Sequence, residues 1–479
     1  MRRSHRSLSR ASFAFALLLA IGLLGGCDPE APAGGERPEI SAPRSEPVAE
    51  PEPAPGADPA PGAEPAPGAE PAPVAEPAPA SLADALAGLD DPGPAERAGA
   101  SPLLQPLQIS AETLRATRPR AGCVRLADGL LRAWPRPGPA RIIAHHGVFI
   151  LAGYAPRDSQ EELFVVRLSP EQGALPLHSE RLSRPVSGRF VPPALDGADP
   201  LHVSLAFTDG AGKVWMGDLP ITPGEGASPW TEVGEGADPR FSPAILASGD
   251  RRVVAHTDGS EETMRVSVHR LSARYESIGR DPIALPGMGA AAPVFVAGDP
   301  RTILVLDPRI ATSPLLRARI DPEGRPGAAE VLIPLSSVFE PPEVVAARLG
   351  DQIYVGYTAM GNAASTAIGL VRVGSGSDRP VALVPGRGYG KLRVSVAIAP
   401  AAALFALDSP QEGGGPGAPR VVHVRVANGA GISDPLVLRG PDGSAKNASI
   451  ARRDDGWIAV AFSSPEGVHV AYLVCADEG

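Results

Sequence analysis

Val165-Val166-Arg167-Leu168 is the first clear copy of a short strand-like motif, apolar–any–Arg–apolar, that returns at nearly constant intervals along the chain. Four more copies contain arginine, and two weaker copies lie where the spacing requires them. The marker positions are Arg167, Asp218, Arg270, Arg319, Arg372, Arg425 and Tyr472. Successive markers are 51, 52, 49, 53, 53 and 47 residues apart. This regularity predicts a repeat protein of seven units.

Two further series of positions follow the same period. One marks the end of the preceding strand, at Tyr154, Phe207, His256, Leu306, Tyr357, Leu407 and Phe462. The other marks an earlier turn, at Asp199, Asp250, Asp299, Asp351 and Asp455, with Gly147 and Pro400 in the two remaining units. Three independent series therefore agree on one repeat of about 51 residues.

Each repeat contains about four strand-like runs separated by Gly, Pro and Asp, as residues 344–348, 353–357, 367–373 and 380–384 illustrate. Seven four-stranded units without intervening helices are typical of a β-propeller, which closes into a ring and protects its sheet edges. We therefore predict an all-β fold, a seven-bladed β-propeller of four-stranded blades, over residues 121–479.

The seventh repeat reaches Gly479 after its third strand, so its fourth strand is expected from the residues just after Cys123. This places N- and C-terminal strands in one blade. Cys123 and Cys475 are the only cysteines besides Cys27, and they stand at the two ends of the proposed ring. We predict a disulfide between them, with two unpaired buried thiols as the alternative.

The N-terminus has the features of an export signal. Four arginines among the first ten residues precede an apolar run over residues 11–24, which ends at Leu24-Gly25-Gly26-Cys27. This stretch resembles the lipobox of bacterial lipoproteins. The resemblance implies that residues 1–26 are a lipoprotein signal peptide and that Cys27 carries the lipid, such as palmitate. An uncleaved anchor helix is the alternative. We expect a lipid-anchored protein of the cell envelope, on the periplasmic face or the cell surface.

Residues 27–120 are predicted to be a disordered linker rich in Pro, Ala and Glu. Residues 53–76 consist of four near-copies of the hexapeptide Pro-Ala-Pro-Gly-Ala-Asp/Glu. Proline at this density favours extended polyproline II conformation, and the regular acids favour extension. A plain spacer is favoured over a ligand for a partner domain, because basic flanking residues are missing.

The charge balance and the absence of motifs narrow the chemistry. The chain has 44 Lys+Arg and 54 Asp+Glu, a net charge of −10; removing the four arginines of residues 1–26 leaves 40 − 54, or −14. This argues against nucleic acid as a partner. No nucleophile elbow, zinc-protease, phosphate-loop or calcium-loop motif occurs, so we assign no catalytic residue, metal or cofactor. The recurrent arginines are interpreted as solvated charge on outer strands.

A candidate ligand mouth follows from propeller topology, because the connections into each first strand gather at one end of the ring. Arg189-Phe190 and Arg240-Phe241 recur 51 residues apart and should project alike. The candidate mouth residues are Arg141, Arg189, Phe190, Arg240, Phe241, Tyr389, Lys391 and Lys446. A basic, aromatic mouth suits an acidic glycan or a carboxylate. In the alternative, the phenylalanines pack between blades and the arginines are solvated.

Residues 207–215, Phe-Thr-Asp-Gly-Ala-Gly-Lys-Val-Trp, are similar to the Asp-box of sialidases. They depart from its spacing and lie one hairpin earlier than in that family, so no sialidase site residue is transferred. Two functions stay open for a chain that we expect to be monomeric. One is a binding or assembly scaffold that faces an envelope protein or polymer. The other is a glycan-active hydrolase or lyase, which a pair of carboxylates across the axis would favour.

Overall fold

A computed structural model describes residues 116–476 except 118, 158–159, 183–190, 223–229, 249, 260–262, 285–290, 307–311, 337–342, 361–365, 375–376, 386–392 and 411–418. Cys27 and the hexapeptide run lie outside the described residues, as do all other positions before 116. In the part that is described, no helix is long and apolar enough to cross a membrane.

The described strands form seven antiparallel sheets, and in each sheet the strands follow one another in chain order from the first to the last. The exception is β1 (Cys123–Leu131), which joins the last sheet. Blade one contains β2 (Ala140–His145), β3 (Val148–Arg157), β4 (Gln160–Ser169) and β5 (Gly173–Leu182). Blade two contains β6 (Ala194–Asp199), β7 (His202–Thr208), β8 (Val214–Pro220) and β9 (Thr231–Gly234). Blade three contains β10 (Ala244–Ser248), β11 (Arg251–Asp258), β12 (Arg265–Ser272) and β13 (Ser277–Pro282).

The remaining blades repeat this arrangement. Blade four contains β14 (Ala291–Val296), β15 (Asp299–Leu306), β16 (Thr312–Arg319) and β17 (Glu330–Ser336). Blade five contains β18 (Val344–Leu349), β19 (Gln352–Met360), β20 (Thr366–Gly374) and β21 (Ser377–Pro385). Blade six contains β22 (Val394–Ala399), β23 (Ala402–Pro410), β24 (Arg420–Asn428), β25 (Gly431–Ile432) and β26 (Leu436–Leu438). Blade seven contains β27 (Lys446–Arg452), β28 (Ile458–Ser464), β29 (Gly467–Cys475) and β1.

The predicted seven-bladed β-propeller is thus confirmed. Blade six varies the pattern, because two short segments, β25 and β26, both pair with β24 in place of one outer strand. Residues 433–435 separate the two segments and end in Pro435, which has no backbone N–H to donate. Because the outermost strand of a blade pairs with only one other strand, an interruption there disturbs only one pairing.

Apolar side chains fill the interfaces between neighbouring blades. Among the described residues, seven large apolar clusters form, one for each pair of adjacent blades around the ring. Strand β15 shows how: Ile303 and Val305 face blade three, whereas Leu304 and Leu306 face blade five. Because alternate side chains of a strand point to opposite faces, both faces of a blade are buried. The middle strands therefore read as continuous apolar runs.

The ring closes in blade seven. Strand β1 pairs antiparallel with β29, and Cys123 lies opposite Cys475 in that register. The two cysteines form a disulfide across 352 positions of sequence. Both the predicted closure by N- and C-terminal strands and the predicted disulfide are confirmed.

The interpretation of the recurrent arginines as solvated outer-strand charge is wrong for most of them. They lie in the third strand of each blade, and Arg270 is only 12% exposed, paired with Asp281. Arg167 donates to the carbonyl of Ile221 in blade two at 3.3 Å. Arg372 in blade five donates to the carbonyl of Gly429 in blade six at 2.9 Å. These arginines thus bind groups of their own blade or the next blade, which leaves them partly desolvated.

Candidate functional site

One end of the ring gathers the connections into the first strands and the hairpins between second and third strands. A cavity of about 150 Å³ opens there among blades one to six, and we call it the mouth. Its charged lining residues are Arg141, Arg240, Glu343 and Arg393. The rest of its lining is largely apolar, including Phe241 and Phe295. A small number of charged groups in an apolar cavity is typical of ligand sites.

Three of these charged groups interact with one another. Glu343 and Arg393 directly precede β18 and β22, and Arg141 is the second residue of β2, so all three lie at the same end of first strands. Arg393 Nη1 and Glu343 Oε1 form an ion pair of 2.9 Å, in which the side chains are 6% and 14% exposed. Among the described residues, the buried atoms Nη2 of Arg393 and Oε2 of Glu343 have no hydrogen-bond partner. The pair is thus only half satisfied.

Arg141 adds a second guanidinium to this group. No hydrogen bond or ion pair of its side chain is found within the part of the chain that the structure describes, although the side chain is half-buried. Burial lowers the pKa of Arg141, the negative charge of Glu343 opposes that shift, and the positive charge of Arg393 adds to it. Guanidinium nevertheless stays protonated in proteins. Arg141, Arg393 and Glu343 therefore carry a net charge of +1 with donors to spare.

The other predicted mouth residues that are described have different surroundings. Arg240 pairs with Asp238 through Nη2 at 2.7 Å and through Nε, and its guanidinium lies 5.8 Å from the ring centre of Phe241. Phe241 is buried against Met264 and Ala291, so it packs between blades three and four. Arg240 already has a carboxylate partner, which leaves Arg141 as the stronger anion donor.

The remaining predicted mouth residues divide into two groups. Lys446 begins β27 and is exposed to solvent. Arg189, Phe190, Tyr389 and Lys391 lie outside the described residues, and their place in the mouth stays a prediction. Glu343 and Arg393 were not predicted. The strand-end series contained the signal, since both precede their markers, Tyr357 and Leu407, by 14 positions.

A second cavity, of about 560 Å³, runs along the inner faces of the first strands, and we call it the axial channel. It is lined by Arg141, Ile142, Ile143, Ala144, Leu195, Ala297, Leu349, Ser395, Val396, Ala397, Ile398, Ala399, Pro400, Ile450, Ala451, Arg452 and Asp454. The polar lining groups are concentrated at the ends. Arg141 and Ser395 lie towards the mouth, and Arg452 and Asp454 lie at the opposite end, where first strands finish.

Several amides of the inner strands are bonded by side chains of the preceding blade. Ser395 Oγ accepts from the amide of Ile450, and Ser449 Oγ accepts from the amide of Ile142. In blade two, Asp196 accepts from the amide of Ala247 at 2.6 Å, and burial raises the pKa of Asp196 to about 6. These contacts satisfy strand edges that would otherwise be open towards the axis.

The described lining residues hold two carboxylates, Glu343 at the mouth and Asp454 at the far end of the channel. Topology places them at opposite ends of first strands, whereas a glycosidase needs two carboxyl groups on either side of one bond. Among the residues the structure describes, no group of three or more His, Cys, Asp or Glu is placed to hold a metal ion. The arrangement can bind an anion through guanidinium groups.

The sialidase-like stretch has a structural role in blade two. Asp209 Oδ1 accepts from the amides of Ala211 and Lys213, and Oδ2 accepts from the indole N–H of Trp215 at 3.0 Å. The carboxylate therefore holds the hairpin between β7 and β8, as the sequence alignment placed it. It does not line the mouth or the channel.

Comparisons with known proteins concern the architecture. No family model and no curated protein matches the sequence. Among solved structures, a lectin from Burkholderia pseudomallei aligns with a TM-score of 0.49 at 15% identity, over 72% of this chain and 97% of the lectin. The polysaccharide lyase Uly1 aligns with a TM-score of 0.46 at 11% identity, over 79% and 98%. Similarity to sialidase-type propellers is faint: Trypanosoma rangeli sialidase gives a TM-score of 0.40 at 8% identity, over 73% of this chain and 60% of the sialidase. Likenesses this weak assign no substrate, so the site must be interpreted from its own residues.

Proposed function

We propose that this protein is a lipid-anchored binding protein of the cell envelope whose propeller binds a carboxylate at its mouth. The observation that supports this most is the half-satisfied charge group of the mouth. Among the described residues, the side chain of Arg141 has no hydrogen bond or ion pair, and the buried Nη2 atom of Arg393 has no hydrogen bond. Buried polar groups normally have partners, and a carboxylate would provide them.

The surrounding protein favours an anion over a cation at this place. Arg141 and Arg393 outnumber Glu343, so the local charge attracts an anion. The chain as a whole is acidic, with a net charge of −10, so this cationic mouth is a local feature and not a consequence of bulk charge. Such a site selects for the charge and planar shape of a carboxylate.

A glycan-active hydrolase or lyase would require an acid and a base on either side of one substrate bond. The described mouth has Glu343 alone, and Arg393 occupies one of its oxygens. No second carboxylate of the described mouth lies across a substrate bond from it. These features support binding as the function of the mouth.

Lipid attachment at Cys27 would hold the propeller at a membrane, and the linker of residues 27–120 would extend it into the envelope. At about 3.1 Å per residue, a stiff segment of about 50 residues reaches on the order of 150 Å. We therefore propose a tethered propeller whose ligand is a small molecule or the end of a polymer. Its partner in the envelope is a carboxylate-bearing molecule.

Isothermal titration calorimetry tests the proposal on the full-length protein in lipid nanodiscs, with hexanoate and glucuronate as probes. We expect one site, and we expect Arg141→Gln to weaken binding about 10- to 100-fold, the loss of a charge-assisted hydrogen bond. Lys446→Gln is the matched control, since Lys446 is also a cation at this end of the ring but is exposed and lines neither the mouth nor the channel. Binding of neither probe, or equal binding by Arg141→Gln, would overturn the proposal.

A further inference from the structure

The mouth and the axial channel meet at two shared lining residues, Arg141 and Leu195. A ligand whose charged group contacts Arg141 can therefore extend into the channel without leaving the cavity wall. First strands such as β2 and β22 contain six residues each, about 17 Å of extended chain. The channel thus continues the mouth along the depth of the ring.

The channel wall below Arg141 consists of aliphatic side chains that are not completely covered by protein. Ile143, Leu349, Val396 and Ile398 are half-buried, and all four line the channel. They come from blades one, five and six, which together with blade seven form one side of the ring. Apolar surface left open to an interior cavity is typical of a ligand site.

Contacts between blades satisfy several backbone amides beside the channel. The amides of Ile142 and Ile450, both channel residues, donate to serine hydroxyls. Near the far end, the inner strands of blades four and five bond directly, since the amide of Ala297 donates to the carbonyl of Ala346 at 2.9 Å. A chain of methylene groups would therefore meet these three amides already bonded.

Blades four and six come into contact at the far end of the first strands. Gly298 has a φ of +80°, and a Cβ atom there would lie 2.6 Å from Cδ1 of Ile398. A ligand that enters from the mouth meets this contact after passing the aliphatic wall.

From these observations we infer that the ligand is an aliphatic carboxylate, with its carboxylate at Arg141 and Arg393 and its hydrocarbon tail in the axial channel. This inference rests on the proposed function and adds the chemical class of the ligand. A cavity of about 560 Å³ is within the usual range for small-molecule sites. Charge complementarity places the carboxylate of the ligand at the mouth, because the mouth is the cationic end.

A chain-length series tests the inference by calorimetry, with butanoate, hexanoate, octanoate and gluconate as probes and empty nanodiscs as the blank. Each added methylene that enters the channel should tighten binding about fourfold, or about 250-fold from butanoate to octanoate. Gluconate has the length of hexanoate but a hydroxylated chain. It should bind at least 10-fold more weakly than hexanoate.

Two channel variants locate the tail. Val396→Thr places a hydroxyl in the channel wall with little change of shape, and Leu349→Trp reduces the space in the channel. Both variants should reduce the gain in affinity per added methylene, while the affinity for butanoate stays within about threefold of the wild-type value. Val331→Thr is the matched control, because Val331 lies on the outer strand β17 and is 53% exposed. If gluconate binds as tightly as hexanoate, or if both channel variants keep the full chain-length gain, the inference is wrong and the channel holds water or another occupant. That result would leave Arg141-dependent carboxylate binding, and with it the proposed function, intact.

Discussion

Removing the disulfide of blade seven should destabilise the whole ring measurably. The variant replaces both Cys123 and Cys475 by serine, which leaves no thiol in the described propeller. Serine keeps the size of cysteine closely enough that the pairing of β1 with β29 can persist. The change therefore tests the covalent link separately from the strand pairing that it reinforces.

The magnitude follows from the length of chain that the bridge closes. A separation of 352 residues gives a chain-entropy effect of about 6 kcal/mol, and measured values are usually about 2–5 kcal/mol. We take about 4 kcal/mol. With an unfolding entropy of about 2.1 cal/mol/K per residue, a domain of about 350 residues loses about 5 °C in Tm.

Differential scanning calorimetry measures this shift, and limited proteolysis locates it. Residues 121–140 should become the first cleavage region, because β1 forms the outer edge of blade seven and is held only through β29. Reduced wild-type protein is the internal control and should match the double variant, which in turn should not respond to reductant. A Tm unchanged within about 1 °C together with an unchanged cleavage pattern would refute the reasoning.

Three further predictions concern the anchor, the seam and pH. Cys27→Ala should abolish acylation and move the protein from the detergent phase to the aqueous phase in a partitioning assay; equal partitioning with wild type would contradict the lipoprotein prediction. Arg453 is 8% exposed and bonds Glu171 with both Nη atoms at 3.0 Å across the seam between blades seven and one. Arg453→Met should lower the free energy of unfolding, measured in urea, by about 2 kcal/mol. An unchanged unfolding midpoint would count against an ionic contribution there. Burial lowers the pKa of His256 and lowers that of His269 from 6.5 to about 4, so both are neutral in the fold while the unfolded chain takes up protons. Stability should therefore be lost as pH falls from about 6.5 towards 4, and less steeply in His269→Gln; parallel pH profiles of the two proteins would disprove this cause.

The sequence predicted the ring well because the repeat constrains it at three positions in every unit. Strand-end markers such as Leu306 face a neighbouring blade, and third-strand arginines such as Arg372 reach a partner in their own or the next blade. Selection for the same contacts seven times leaves a period that is visible without coordinates. The disulfide was predictable for a related reason, since closure brings the two ends of the ring into one sheet.

The site was less predictable because its contacts cross between blades that are distant in sequence. Glu343 and Arg393 are 50 positions apart, and nothing local in either segment marks them as partners. The Arg240-Phe241 pair looked like a ligand contact by repetition, but Asp238 and Met264 supply its partners. Side-chain partners, unlike backbone periodicity, depend on which rotamers meet in the assembled ring.

The most direct test of carboxylate binding at the mouth is an anomalous diffraction measurement on crystals grown with 8-bromooctanoate. We expect carboxylate density at Arg141 and one bromine peak inside the axial channel, near Leu349 and Ile398. Bromine peaks confined to the outer surface of the blades, with no ligand density at Arg141 at millimolar ligand, would contradict carboxylate binding at the mouth.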